Sequence, residues 1–131
     1  MPLSRLAALP AAILVLAGCA SVGHREDAAA AVAMRLLNAV AAGDGEAACA
    51  ILAPDTAESV AEEEPCAEAI LDAKLPRPGT VVGADVYGQW AQVRLDDDTV
   101  FLAAFPGGWR VVAAGCTPRA DQPYRCAVES D

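Results

Sequence analysis

The sequence predicts an α+β domain in which N-terminal helices pack on an antiparallel sheet of four to five strands, closed by two disulfides. Three observations lead there. Apolar residues recur at a helical period of about 3.6 in the first half of the chain and at period two after "PRPG", residues 76–79. Turn-forming Gly, Pro and Asp clusters break the second half into strand-length pieces. Four of the five cysteines fall in two near pairs, Cys49 with Cys66 and Cys116 with Cys126.

The N-terminal stretch carries one positive residue, Arg5, and then an uncharged run from Leu6 to Gly18 that ends in "LVLAGC". A basic head, an apolar middle and a small-residue exit make a secretory signal in outline. The run contains Pro10 and falls short of the roughly 20 residues that a spanning helix needs. Leu16-Ala17-Gly18-Cys19 resembles a bacterial lipobox, in which the chain is cut before a cysteine already bearing a diacylglyceryl group. An ordinary secretory signal beside a thiol is the alternative. The lipobox reading divides the chain into a lipoprotein signal peptide, residues 1–18, a lipidated tether, residues 19–27, and a single α+β domain, residues 28–131.

"SVGHRED" has no apolar period, which is why the segment after Cys19 is read as tether. From Glu26 a helix is expected, with Val32, Leu36, Leu37 and Val40 on one face, Glu26 and Asp27 favouring the dipole at its start, and Gly43 as its stop. Asp44 is the cap expected for a second, shorter helix, "DTAESVAEEEP" gives a further turn or two, and Pro65 suits the first position of "PCAEAILDAKL". Each is shorter than the roughly 12 to 15 residues an isolated helix requires, so a Cys49–Cys66 staple would hold them together.

Four strands follow: "TVVGADVYG", "QWAQVRLD", "TVFLAAF" and "WRVVAAG". Ala91, Val93 and Leu95 alternate with Gln92 and Arg94, which marks a strand with one buried face. "VFLAAF" is apolar on both faces and is expected at the centre, covered by helix on one side. "YRCAV" is expected to add a short strand at the edge, held there by Cys116–Cys126.

Five is an awkward number of cysteines for an exported protein, and assigning Cys19 to lipid leaves four. These pair in three ways; sequence neighbours favour Cys49–Cys66 and Cys116–Cys126, with crossed pairing left open. The formal charge is −9, or −10 once residues 1–18 and their Arg5 are removed. That sign repels nucleic acid and anionic head groups, so any membrane attachment has to come from lipid on Cys19. The expected location is the outer face of a bacterial cytoplasmic membrane.

"LLNAVAAGDGEAACAILAP", "CAEAI" and "YGQWAQVRLDDDTVFLAAFPGGWRVVAAGC" together resemble the small exported lipoproteins of actinobacteria, whose domains are similar to the NTF2-like or cystatin-like α+β group. The resemblance implies a cone-shaped sheet behind N-terminal helices, without assigning an activity. This chain departs from the pattern in having residues for only four or five strands.

The chemistry-bearing residues point away from catalysis. His24, the sole histidine, sits in the expected tether, so no histidine triad, acid–base pair or metal cage is expected in the domain. "EEE" at 62–64 reads as a solvated helix junction and "DDD" at 96–98 as a turn rather than a calcium loop. No pair of carboxylates is marked as facing a cleft. Trp90 and Trp109 are expected to cap the sheet's core or shield its edge; the alternative is a stripe on adjacent strands that offers a flat binding surface to a peptide or a polysaccharide. The expected function is non-catalytic binding of a protein or envelope component, with no cofactor and no metal. A small-ligand site between the Val32–Val40 helix face and the sheet is the alternative.

Overall fold

A computed structural model of the chain describes residues 18–131. The expected signal peptide lies outside the described residues except for Gly18, and so does the side chain of Cys19. Helix α1 spans Gly18–Ala41. Residues 19–27, expected as a tether, are therefore helical, and the helix starts about two turns earlier than Glu26. Nothing in "ASVGHRED" breaks a helix except the mild penalty of Gly23, and extending an existing helix needs no new nucleus. Tertiary contacts reward the extension, because Arg25 reaches the sheet from this segment. Glu26 and Asp27 consequently lie inside the helix, and its first turn holds no acidic residue.

The predicted face of α1 is the buried one: Ala29, Val32, Ala33, Leu36 and Leu37 all face the core. Helix α2, Gly45–Ile51, begins at the expected cap, where the Asp44 carboxylate accepts the Ala47 N–H at 3.0 Å. Helix α3, Pro54–Val60, opens on a proline at its first position. Helix α4 spans Cys66–Asp72, with Pro65 at the cap rather than in the first turn. Cys49 and Cys66 are disulfide-bonded, with Cα atoms 6.2 Å apart, and tie α2 to α4. The two helices pack so closely that a Cβ on the buried Gly45 would run into the Ala67 carbonyl.

The sheet is a five-stranded antiparallel meander in the order β1-β2-β3-β4-β5, with β1 Val81–Tyr87, β2 Trp90–Leu95, β3 Thr99–Phe105, β4 Gly108–Arg119 and β5 Gln122–Glu129. β3 holds the expected central place, and the "YRCAV" segment forms most of β5. Cys116 faces Cys126 directly across the β4–β5 ladder and is bonded to it, so both local disulfides form. Ala91, Val93 and Leu95 of β2, Val100 and Leu102 of β3, and Val111 and Ala114 of β4 turn one face toward α1 and make the core. That interface is filled. Four helices and a five-stranded open sheet thus bear out the α+β class.

The "DDD" turn is anchored from inside. Asp98 is buried, and its carboxylate accepts the backbone N–H of Cys116 at 3.0 Å and of Gly115 at 3.3 Å. Burial raises its pKa above the ordinary carboxylate value, while backbone N–H bonds from Cys116, Gly115 and Thr99 oppose the shift. Asp96, in the same turn, accepts the Thr80 N–H at 3.0 Å and fixes the start of β1.

Candidate functional site: an apolar groove on the open sheet face

Strand alternation that turns Val100 and Leu102 toward α1 turns Phe101, Ala103 and Phe105 the other way. Register aligns Trp90 with Ala103, and Gln92 with Phe101 and Ala113, so these residues share the face that α1 does not cover. Three features raise walls around them.

The first wall is the start of α3. Leu52 pairs in parallel with Val111 beyond the point where β5 stops, Ala53 donates its N–H to the Val111 carbonyl at 2.8 Å, and the buried Thr56 donates its hydroxyl to the Val112 carbonyl at 3.0 Å. Val112 is available for this because a register shift between Phe101 and Leu102 leaves it as the extra residue of a bulge in β4. The second wall is the β4–β5 hairpin. Gly115 has φ +66°, a conformation that a side chain disfavours, and a further register shift falls between Thr117 and Arg119. The hairpin thereby brings Tyr124 over the sheet, with its ring edge-on to Phe101 at 5.1 Å between centroids and its hydroxyl accepting from Gln92 Nε2 at 3.5 Å. The third feature is Trp90, 59% exposed at the mouth.

Between them lies an open groove of about 630 Å³. Its floor is Phe101, Ala103, Phe105 and Ala113, its sides are Ala53, Pro54, Pro123 and Tyr124, and Asp55, Glu129 and Ser130 supply polar groups. A volume of this order suits a drug-sized molecule, for which pockets run from about 300 to 1,000 Å³. A second concavity of about 490 Å³ shares Asp55 and adds Glu58, Ser59, Glu62 and Asp131. There Glu62 has its pKa raised, first by a hydrogen bond with Asp131 and then by the repulsion between the two charges. Glu64 is also raised, first by a hydrogen bond with Asp72 and then by desolvation and the neighbouring carboxylate charges. Among the described residues the one ion pair joins Arg94 to Asp85 at 3.3 Å, away from both concavities.

The alternative of one tryptophan surface does not form. Trp90 is on β2 and Trp109 on β4, with β3 between them. Because Trp109 pairs with Ala104 rather than Ala103, it points to the α1 side, where it packs against the core beneath the Arg25 guanidinium, 5.2 Å from the ring centroid. The expected ligand space between the Val32–Val40 face and the sheet is likewise occupied by packed side chains, and the groove sits on the opposite face. His24 is exposed on α1. Phe101, Phe105 and Tyr124 were not singled out by the sequence; the shared parity of Phe101, Ala103 and Phe105 was the signal that marks a second apolar face. Compared with family models, with curated proteins and with solved structures, the chain matches none.

Proposed function

We propose that this chain is an extracytoplasmic lipoprotein, held by acylated Cys19 at the outer face of a bacterial cytoplasmic membrane, that binds a small apolar ligand without chemistry on it. The observation that carries the ligand reading is the groove of about 630 Å³ floored by Phe101, Ala103 and Phe105. Its one buried hydroxyl, on Thr56, is committed to the Val112 carbonyl, which suits a binding wall better than a nucleophile. The anchor rests on the Leu16-Ala17-Gly18-Cys19 motif and on cysteine parity, since the other four cysteines are spent in disulfides. Helices that precede an antiparallel sheet and pack on one of its faces support an NTF2-like or cystatin-like arrangement, while the groove lies on the other face.

The test is titration with the neutral fluorophore N-phenyl-1-naphthylamine. A saturable rise in emission is expected, with an affinity lowered about tenfold in Ala103→Trp, which fills the floor, a change of roughly 1.4 kcal/mol. Emission that rises linearly in wild type and variant alike overturns the ligand reading. Binding of a protein or envelope component instead is the second reading, favoured by the exposure of Trp90 at the groove mouth.

A further inference from the structure

Arg25 joins the start of α1 to the β1–β2 turn. Its Nη2 donates to the Gly88 carbonyl at 2.6 Å while its guanidinium lies over Trp109. That turn carries Tyr87 and Trp90, directly opposite each other in the ladder and 62% and 59% exposed. Val22, one helical turn before Arg25, is 48% exposed. Large apolar side chains facing water therefore gather at the end of the molecule where α1 begins.

Helix geometry sets the distance from there to the anchor. With a rise of about 1.5 Å per residue, the backbone of Cys19 lies roughly 9 Å along α1 from Arg25. The polar head-group layer on each side of a bilayer is roughly 5 to 8 Å thick. With Cys19 at the inner edge of that layer, the backbone of the β1–β2 turn lies about 9 Å out, at the layer's water-facing boundary, from which Trp and Tyr side chains reach the interface that favours their amphipathic rings. The four turn residues Tyr87, Gly88, Gln89 and Trp90 bear no charge, so they bring none of the chain's negative charge to the lipid.

Resting on the lipoprotein reading above, we propose that Tyr87 and Trp90 form a second membrane contact, inserting into the head-group region of the phospholipid bilayer that holds the anchor. Trp90 also lines the mouth of the groove. The groove consequently opens at the lipid surface, and its apolar ligand enters from the bilayer rather than from water.

The experiment uses the protein purified from membranes and reconstituted into phosphatidylcholine vesicles with and without bromine on the upper acyl chain. The chain has two tryptophans, so Trp109→Phe leaves Trp90 as the reporter and Trp90→Phe leaves Trp109. Bromolipid is expected to quench Trp90 about twofold and to leave Trp109 unchanged, because only the former reaches the interface. Tyr87→Ser lowers the quenching of Trp90. Should Trp109→Phe fold poorly, wild-type protein carries the same readout at reduced amplitude. Intact mass shows whether Cys19 is acylated. Acylated, vesicle-bound protein with unquenched Trp90 overturns this contact and leaves the anchor standing; unacylated Cys19 overturns the anchor and the contact with it. A Trp90 emission that shifts with protein concentration in the absence of lipid assigns the surface to a second copy instead.

Discussion

The carboxylate of Asp98 accepts the backbone N–H of Cys116 at 3.0 Å, which ties the β2–β3 turn to the residue that carries the sheet's disulfide. Because Gly115 donates to the same carboxylate, Asp98→Ala strips the buried Cys116 N–H and the part-buried Gly115 N–H of their partner. An unsatisfied buried donor costs about 1–3 kcal/mol, so urea denaturation of Asp98→Ala should show a loss in that range, and Asp98→Asn, which keeps one acceptor, a smaller one.

The same residue gives stability a pH dependence of known sign. Its folded pKa is raised by burial, so between the ordinary carboxylate value, about 3.9, and the raised one the folded chain binds more protons than the unfolded chain. Its contribution to stability is greatest below that window and declines as pH rises through it. Urea midpoints measured across the acid range should fall with rising pH more steeply in wild type than in Asp98→Asn.

Removing the α2–α4 staple lengthens the list of states open to the unfolded chain. Cys49 and Cys66 are 17 residues apart, and a loop of that size corresponds to about 3 kcal/mol in the chain-entropy account. Cys49→Ser with Cys66→Ser should lower the denaturant midpoint accordingly without changing the sheet's circular dichroism signature.

Gly45→Ala probes the close approach of the same two helices. The new methyl meets the Ala67 carbonyl backbone, which has no rotamer through which to yield. Overpacking of this kind costs about 1–3 kcal/mol, whereas helix propensity alone would make Ala the better residue by about 1 kcal/mol. Thermal melting decides between them; a lower Tm is the expected sign.

Cys19→Ser tests the anchor directly. With the acyl attachment point removed, the exported protein should move from the membrane pellet to the soluble fraction while both disulfides still form. Each buried methylene adds about 0.8 kcal/mol of membrane affinity, far more in total than two interfacial aromatics supply.

Much of the fold could be read in the chain because period and punctuation agree. Val32, Leu36 and Leu37 announce the face of α1, and Ala91, Val93 and Leu95 that of β2; each set is buried as its spacing requires. The start of α1 was hidden because "SVGHRED" has no periodicity of its own, and the contact that rewards its helical form, Arg25 with Gly88, spans 63 residues. The groove was hidden for a similar reason. Trp90 and Trp109 look equivalent in sequence, and only their registers against β3, with Trp90 opposite Ala103 and Trp109 opposite Ala104, send one ring to each side. Phe101 and Tyr124 meet through the bend at Gly115, a long-range event that local spacing does not encode.

The two walls of the groove are secured by different chemistry. The hairpin wall is riveted covalently across its two strands, so its curvature survives thermal fluctuation. The α3 wall hangs from β4 by the Ala53 and Thr56 hydrogen bonds. The two walls also meet, because the Asp131 N–H donates to Ser59 Oγ of α3 at 3.2 Å, so the covalently closed hairpin braces the helical wall and the width of the groove is set from its disulfide side.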